Sequence, residues 1–421
     1  MNHLENSSIN SYNPSWFVIS LPEIDIKEIA GEIDFESMTP KELGIYAHEY
    51  THYIQNICTA NGLKSSLLSY IYFEQLLIHA NKSDYLEIPI KSFPEWESKA
   101  DLDRMYSICR GSSSDENLDF DSYNLLIEKL KIGSLNETKI VKVEFFKNKI
   151  KFKEVNFGVL CVKEGMAHYV QKIIDANVQH STVPYLMVEL ICKKLFPQIL
   201  DHPTKIIAIC IAALHFQNSG YHFIRLLNNY KVNPARTSEQ FLKDELDVKI
   251  VSNNESKSIK EFVIELMNEL GEKLNRFTKS KTGHFKSLIK NLIDAEQNYH
   301  SLFLNVMNGN NLSSIEKLRE LKAHYGTPTI RCKDGKLLLQ GTGEEEEVAL
   351  EMLELLSHTI FFSRLRGENE GYCGFLSICS NDKTIEITNM CYTKQWERKT
   401  PCAFTSIAEA WGLMGKLREK E

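Results

Sequence analysis

Apolar positions along this chain recur mostly at helical spacing, with a few short stretches that alternate instead. Leu43, Ala47, Tyr50, Ile54 and Ile57 follow one another at intervals of four and three, the stripe of a helix with one face in a core. Its start is marked twice. Thr39 stands at the N-cap with Glu42 three residues on, a capping box, and Pro40 suits the first helical position. This helix should end near Cys58, before Asn61 and Gly62, and a second should cover about 64–80.

Residues 1–36 read as an irregular entry with one strand candidate at 16–21. From 81 to 135 the chain is polar and broken by Pro94 and by Gly111-Ser112-Ser113-Ser114, with helical pieces expected around Leu102 and Leu125. Val141, Val143 and Phe145, then Ile150 and Phe152, alternate with polar residues about Lys147-Asn148, which predicts a hairpin over 140–154. Helices should follow at about 159–176, 185–197 and 204–217. Farther on, Ile259, Phe262, Val263, Leu266, Leu270 and Leu274 keep one helical face, and Ser313 with Glu316 opens a capped helix that stops at Gly326. A hairpin across Asp334-Gly335 and a helix over 344–365, opened by four glutamates that suit the positive end of its dipole, lead into the last segment. The pattern predicts a predominantly helical α+β fold with a small sheet. Soft boundaries fall near 235 and 328, dividing the chain into 1–235, a helical 236–328 and a small α+β region 329–421.

Composition narrows the function classes. The 421 residues are 43% apolar and 25% charged, the balance of an ordinary globular protein able to bury a core without disulfides. Forty-nine basic against 56 acidic residues give a net charge of −7, which argues against nucleic acid or an anionic membrane surface as partner. The longest apolar run, Ile206 to Leu214, falls far short of the ~20 residues a membrane span needs. The N-terminus has no basic and apolar leader, so a cytoplasmic location and reduced cysteines are expected.

The chemistry concentrates in Ala47-His48-Glu49-Tyr50-Thr51-His52-Tyr53-Ile54-Gln55, a match to H-E-x-x-H. Residues four apart lie one above the other on a helix, so His48 and His52 can offer two imidazoles to one metal. Glu49 sits beside the first ligand, placed to take a proton from water rather than to bind the metal. His48, His52 and Gln55 fall off the apolar stripe. The plainer alternative is a solvated polar face, or two histidines hydrogen-bonded in the core.

A catalytic zinc wants three protein ligands and one open position. No third histidine follows at short spacing, since the chain runs Tyr53-Ile54-Gln55-Asn56-Ile57-Cys58. A carboxylate from a second helix is the alternative, and Lys163-Glu164-Gly165-Met166-Ala167-His168 offers one. H-E-x-x-H with a distant Glu-Gly-x-Ala resembles the gluzincins, the zinc peptidase group that includes thermolysin and one-metal aminopeptidases. The string from His48 through Thr59-Ala60-Asn61-Gly62-Leu63 is also similar to poorly characterised bacterial proteins. The gluzincin resemblance spans about 60 residues around the two motifs. It implies a zincin-like catalytic part, with His48, His52 and Glu164 on zinc and Glu49 as general base. Gly165, lacking a Cβ, would let the two ligand helices approach.

Glu74, Glu144, Glu154 and Glu189 are competing carboxylates for the third position. His168, one turn after Glu164, is either a support for a ligand or a packed histidine. In the gluzincins a Tyr or His farther along stabilises the oxyanion. Tyr221 and His222, after the turn at Asn218-Ser219-Gly220, hold that place in chain order, and Tyr185 is a second candidate.

The expected activity is hydrolysis of a peptide or protein substrate by zinc-activated water, with the 140–154 hairpin lending an edge strand to the peptide. The other reading is a metal-binding interaction module, or a hydrolase of a non-peptide amide or ester. Finally, Cys373, Cys379, Cys391 and Cys402, four of the ten cysteines, crowd the last 49 residues (373–421). They are candidates for a second, structural metal, although no C-x2-C knuckle is present. Packing beside Phe375, Leu376, Ile378 and Phe404 is the simpler use of such residues.

Overall fold

The computed structural model describes residues 11–13, 17–29, 32–90, 100–131, 137–252, 255–278, 284–298, 301–309, 311–333, 337–338, 345–367, 373, 375–379, 386–398 and 400–419. Strands β1 (Ser11–Asn13) and β2 (Val18–Leu21) and the two-residue β3 (Glu28–Ile29) and β4 (Glu32–Ile33) form the entry. Helix α1 (Pro40–Cys58) starts where expected. Thr39 Oγ1 accepts from the Glu42 N–H at 3.3 Å, and Glu42 Oε2 accepts from the Thr39 N–H at 2.8 Å.

Helix α2 (Ala60–Lys82) begins at once, earlier than the pattern suggests. Thr59 makes this abrupt restart by capping it, its hydroxyl oxygen accepting from the Gly62 N–H at 3.2 Å. Gly62 thus lies inside the first turn of α2 rather than beyond the end of α1.

Strand β5 (Leu86–Ile88) and helix α3 (Ala100–Arg110) lead to a three-stranded antiparallel sheet: β6 (Ser122–Leu130), β7 (Thr138–Lys147) and β8 (Ile150–Phe157), with β7 central. The β7–β8 hairpin turns at Asn148 and Lys149, both at positive φ. The expected helical piece at Leu125 is a strand. Tyr123, Leu125 and Ile127 lie opposite Phe145, Val143 and Val141, so the period of two wins over the local run of apolar residues.

The sheet feeds a layer of helices: α4 (Val159–Ile174), α5 (Met187–Leu195), α6 (Pro203–Leu214), α7 (Ser219–Val232) and α8 (Ser238–Leu246). Every residue from Ile206 to Leu214 on α6 is buried, as its unbroken apolar run demands. A hairpin of β9 (Lys249–Ser252) and β10 (Glu255–Ser258), absent from the apolar pattern, precedes α9 (Ile259–Thr278), α10 (His284–Gln297), α11 (Ser301–Asn308) and α12 (Ser314–Tyr325). The Ser313–Glu316 capping box forms, and α12 stops at Gly326 with φ +76°.

Strands β11 (Thr329–Cys332) and β12 (Leu337–Leu338) pair antiparallel; the turn at Asp334-Gly335 lies outside the described residues. Helices α13 (Glu345–Leu365), α14 (Leu376–Cys379) and α15 (Ala403–Ala410) and strand β13 (Leu417–Glu419) complete the chain. The fold is predominantly helical α+β. Strand β11 runs parallel to β2, and β13 parallel to β5, so the regions 1–235 and 329–421 share two sheets. Buried apolar residues form one cluster reaching from Phe17 to Leu417.

Helix α1 sits deep in this cluster, with most of its residues buried on all sides. Two of its tyrosines find hydrogen-bond partners despite such burial. Tyr50 donates to the Gly326 carbonyl at 2.6 Å, and Tyr53 donates to the Tyr325 carbonyl at 2.9 Å, pinning α1 to the end of α12. Among the described residues, no helix is long and apolar enough to cross a membrane.

Candidate metal centre

The two helices that carry the motifs, α1 and α4, pack directly on each other. Their close approach is made at Gly44, where a Cβ would stand 2.9 Å from Asp175 Cβ and 3.3 Å from Gln171 Cγ. Gly165 has a different job from the one expected: its missing Cβ makes room for α5, since it would lie 2.3 Å from Val188 Cγ2. The glycine beside the glutamate therefore seats the neighbouring helix, not the partner ligand helix.

Across the α1–α4 contact three ligand atoms converge. His48 Nε2 and His52 Nε2 each lie 3.1 Å from Glu164 Oε2, and 3.2 Å from one another. Among the described residues, this is the group of three or more ligand side chains whose donor atoms all lie within 4.8 Å of each other. The i, i+4 register supplies the histidine pair, and packing of α4 brings the carboxylate. The competing carboxylates are committed elsewhere. Glu74 pairs with Lys273 and Arg276, Glu144 and Glu154 with Lys151 on the outer face of the sheet, and Glu189 with Lys172.

The donor set fits zinc. Tetrahedral bonds of about 2.0–2.1 Å place ligand atoms roughly 3.3 Å apart, close to the three separations found here. Two nitrogens and one oxygen also suit its borderline-soft character. The tautomer of His52 is fixed by its neighbour. Gln55 Nε2 donates to the Lys163 carbonyl at 2.9 Å, which turns Gln55 Oε1 toward His52 Nδ1 at 2.9 Å. In the neutral ring Nδ1 therefore carries the proton, and Nε2 is the nitrogen that would present a lone pair to a metal. Gln55 shares the motif face of α1, so helical spacing was the signal that pointed to it.

In the metal-free protein Glu164 and His52 shift one another's affinity for protons. Burial opposes charge on Glu164, but the His52 and His48 imidazoles outweigh it and hold the carboxyl far below its usual range. Burial likewise pulls His52 down, and Glu164 overrides it, raising the imidazole to about 9. Glu49 is 6% exposed. Burial pushes its carboxyl up, with the two histidines pulling down and Glu164 pushing up. Among the described residues it makes no hydrogen bond or ion pair, which leaves its oxygens available to water.

A wall of aromatic and imidazole rings stands beside His48. His180 lies 5.4 Å and Tyr185 5.7 Å from it, ring centre to ring centre, and these two rings stack at 4.4 Å. Both come from the segment after α4, which is tied down by the reciprocal backbone bonds of Glu116 and Val183, each 3.0 Å. His180 Nε2 reaches Gln171 Oε1 at 2.8 Å. Nothing in the local sequence marked His180, a lone histidine in a polar turn.

His168 is 3% exposed, 5.3 Å from the His180 ring, and neither of its nitrogens has a partner among the described residues. Burial lowers His168 to about 3 and His180 to about 4, so both rings are neutral at physiological pH.

Tyr221 and His222 are held elsewhere. Lys139 donates to the Tyr221 hydroxyl at 3.0 Å, while His222 stacks on Phe216 at 3.9 Å and accepts from Arg225 Nε at 3.3 Å. Neither is among the rings that touch His48. Just beyond the 140–154 hairpin, Ser112 exchanges bonds of 3.0 Å with both the N–H and the carbonyl of Asn156.

The C-terminal cysteines come from four separate places. Cys373, Cys379 and Cys391 are buried and Cys402 is half-buried. The Cys373 N–H donates to the Cys391 carbonyl at 3.0 Å, but no three of the four sulfurs lie mutually within 4.8 Å. Comparison with known protein families, with curated proteins and with solved structures found no match for this chain.

Proposed function

We propose that the chain is a zinc-dependent hydrolase that cleaves peptide bonds, of the gluzincin type that its two motifs resemble. The observation that carries this reading is the triangle of His48 Nε2, His52 Nε2 and Glu164 Oε2, with sides of 3.1–3.2 Å and the unpaired carboxyl of Glu49 buried beside it.

Zinc held there would supply Lewis acidity, bringing the pKa of water towards ~7 and polarising a carbonyl. The protein groups divide the rest of the work. Glu49 accepts a proton from the attacking water and returns it to the departing amine, a role suited to a carboxyl whose affinity for protons burial has raised. His52, locked by Gln55, keeps its lone pair on the cluster. Tyr185 donates its hydroxyl to the carbonyl oxygen as charge develops there. Burial first, then Glu164, raises its proton affinity, so it remains an O–H donor throughout the working pH range.

Incubating the zinc-loaded protein with a proteome-derived peptide library tests the proposal. Discrete cleavage products that vanish on chelation and return with zinc support it. Full zinc occupancy with no cleavage, and none of amide or ester panels, would instead favour a metal-binding interaction module.

A further inference from the structure

We propose, on the reading of the metal centre given above, that His180 is the positioning residue of Tyr185. Its imidazole, tethered to Gln171 on α4, is the platform that holds the Tyr185 ring, and with it the hydroxyl donor, beside His48. Both residues stand on the turn between α4 and α5, and the backbone of that turn is fixed first. Glu116 and Val183 exchange backbone bonds of 3.0 Å, the Leu118 N–H donates to Thr182 Oγ1 at 3.1 Å, and the Leu186 N–H donates to the Thr182 carbonyl at 3.2 Å. These bonds place the main chain around Tyr185 and leave its ring to be oriented by what it touches.

His180 supplies the flat surface. The two rings stack at 4.4 Å with 17° between their planes, whereas the contact of Tyr185 with His48 is tilted by 51° at 5.7 Å. The platform is held on two further sides. His180 Nε2–H donates to Gln171 Oε1 at 2.8 Å, and the buried His168 meets the ring edge-on at 5.3 Å. His168 and Gln171 follow Glu164 on α4 by four and seven residues, so all three share one helical face. Gln171 also lies against Gly44 of α1. The stack is thereby referenced to the two helices that carry the ligands.

Packing alone would be met by any apolar side chain at 180. A flat ring tied by a hydrogen bond to a buried amide fixes an orientation as well as a volume. Orientation matters for this tyrosine. Its hydroxyl makes no hydrogen bond among the described residues, and a donor at the end of a long side chain leaves hydrogen-bond reach on a small rotation. A donor held before charge develops needs no rearrangement at the moment of reaction.

The full-length protein loaded with cobalt and titrated with acetohydroxamate, which chelates the metal through two oxygens, reads the placement of the donor without turnover. Tyr185→Phe should weaken acetohydroxamate about tenfold. His180→Ala should weaken it by a similar factor with cobalt held as in the parent, and the double variant should lose about tenfold rather than the roughly hundredfold of independent groups. His180→Phe, which keeps a flat ring, should stay within about threefold of the parent. On a peptide cleaved by the parent, His180→Ala should lower kcat and leave KM unchanged. If His180→Ala fails to fold, His180→Leu, which fills the volume without a flat ring, should show the same loss. An affinity indifferent to Tyr185, one that depends on Tyr185 but not on His180, or losses that add would overturn the proposal and leave the metal centre intact. Failure of the cobalt protein to bind acetohydroxamate at all would overturn the reading of the centre, and the proposal with it.

Discussion

The His48–His52–Glu164 triangle and the four C-terminal cysteines differ in how far the fold brings candidate ligand atoms together. In the first, the donor atoms already stand 3.1–3.2 Å apart, set by helical register and by the packing of α4 on α1. In the second, the thiols come from short elements and turns, and no three sulfurs lie mutually within 4.8 Å. Rigid helices buried in the core can hold metal ligands in place before any metal arrives. The cysteine thiols, carried on short elements and turns, are not held together in this way by the fold.

The largest contrast should come from removing a ligand of the preformed site. Glu164→Ala should weaken zinc binding there by more than about 100-fold, well beyond the 10–100-fold of supporting groups. Far-ultraviolet circular dichroism should be unchanged, because helix packing, not the metal, holds the site. Retention of full zinc would move the third ligand elsewhere.

Gln55→Leu sharpens the same point with a smaller effect. It frees the His52 tautomer without touching a ligand, and competition with a chelator should show zinc held about 10–100-fold less tightly.

The metal-free site also makes a prediction about pH. His52 is raised to about 9 by Glu164, so zinc must displace a proton below that pH. Affinity at this site should rise about tenfold per pH unit from about pH 7 and flatten above 9. The effect on metal-free stability has a definite sign. The contribution of His52, whose pKa is raised on folding, is complete below its unfolded value of ~6.5 and lost as pH rises through about 9. That of Glu164, whose pKa is lowered, is present above ~4.3 and lost as acid reaches its depressed value. Thermal melts of the chelated protein from pH 5 to pH 9.5 should therefore show declining stability on the alkaline side, removed by mutating Glu164 to Gln.

The smallest effect expected is on packing. Gly165→Ala should cost about 1–3 kcal/mol by denaturant unfolding, with most of the loss recovered in the double variant with Val188→Ala. Recovery by a change on α1 instead would restore Gly165 to the ligand-helix contact.

What could be read from the sequence follows the same division. The capping box at Thr39, the His48–His52 pair and the buried run on α6 are local, because their spacing alone determines the outcome. Glu164 needed a resemblance to a known family, since a Glu-Gly pair carries no geometry of its own. His180 and Tyr185 reach His48 through a turn anchored by Glu116, a contact 67 residues distant in the chain that no periodicity encodes. Strand β6 escaped for a related reason: Leu125, Leu126 and Ile127 suggest a helix until pairing with β7 puts alternate residues on opposite faces.

The central claim, zinc hydrolysis with Glu49 as base, is tested most directly by one comparison. Parent protein and Glu49→Gln, matched for zinc at the His48–His52–Glu164 centre, are assayed on a peptide cleaved by the parent. Equal zinc content with cleavage reduced by at least about 100-fold is the predicted result, because only the proton acceptor has changed. Equal cleavage at equal zinc would contradict the account and remove Glu49 from the chemistry.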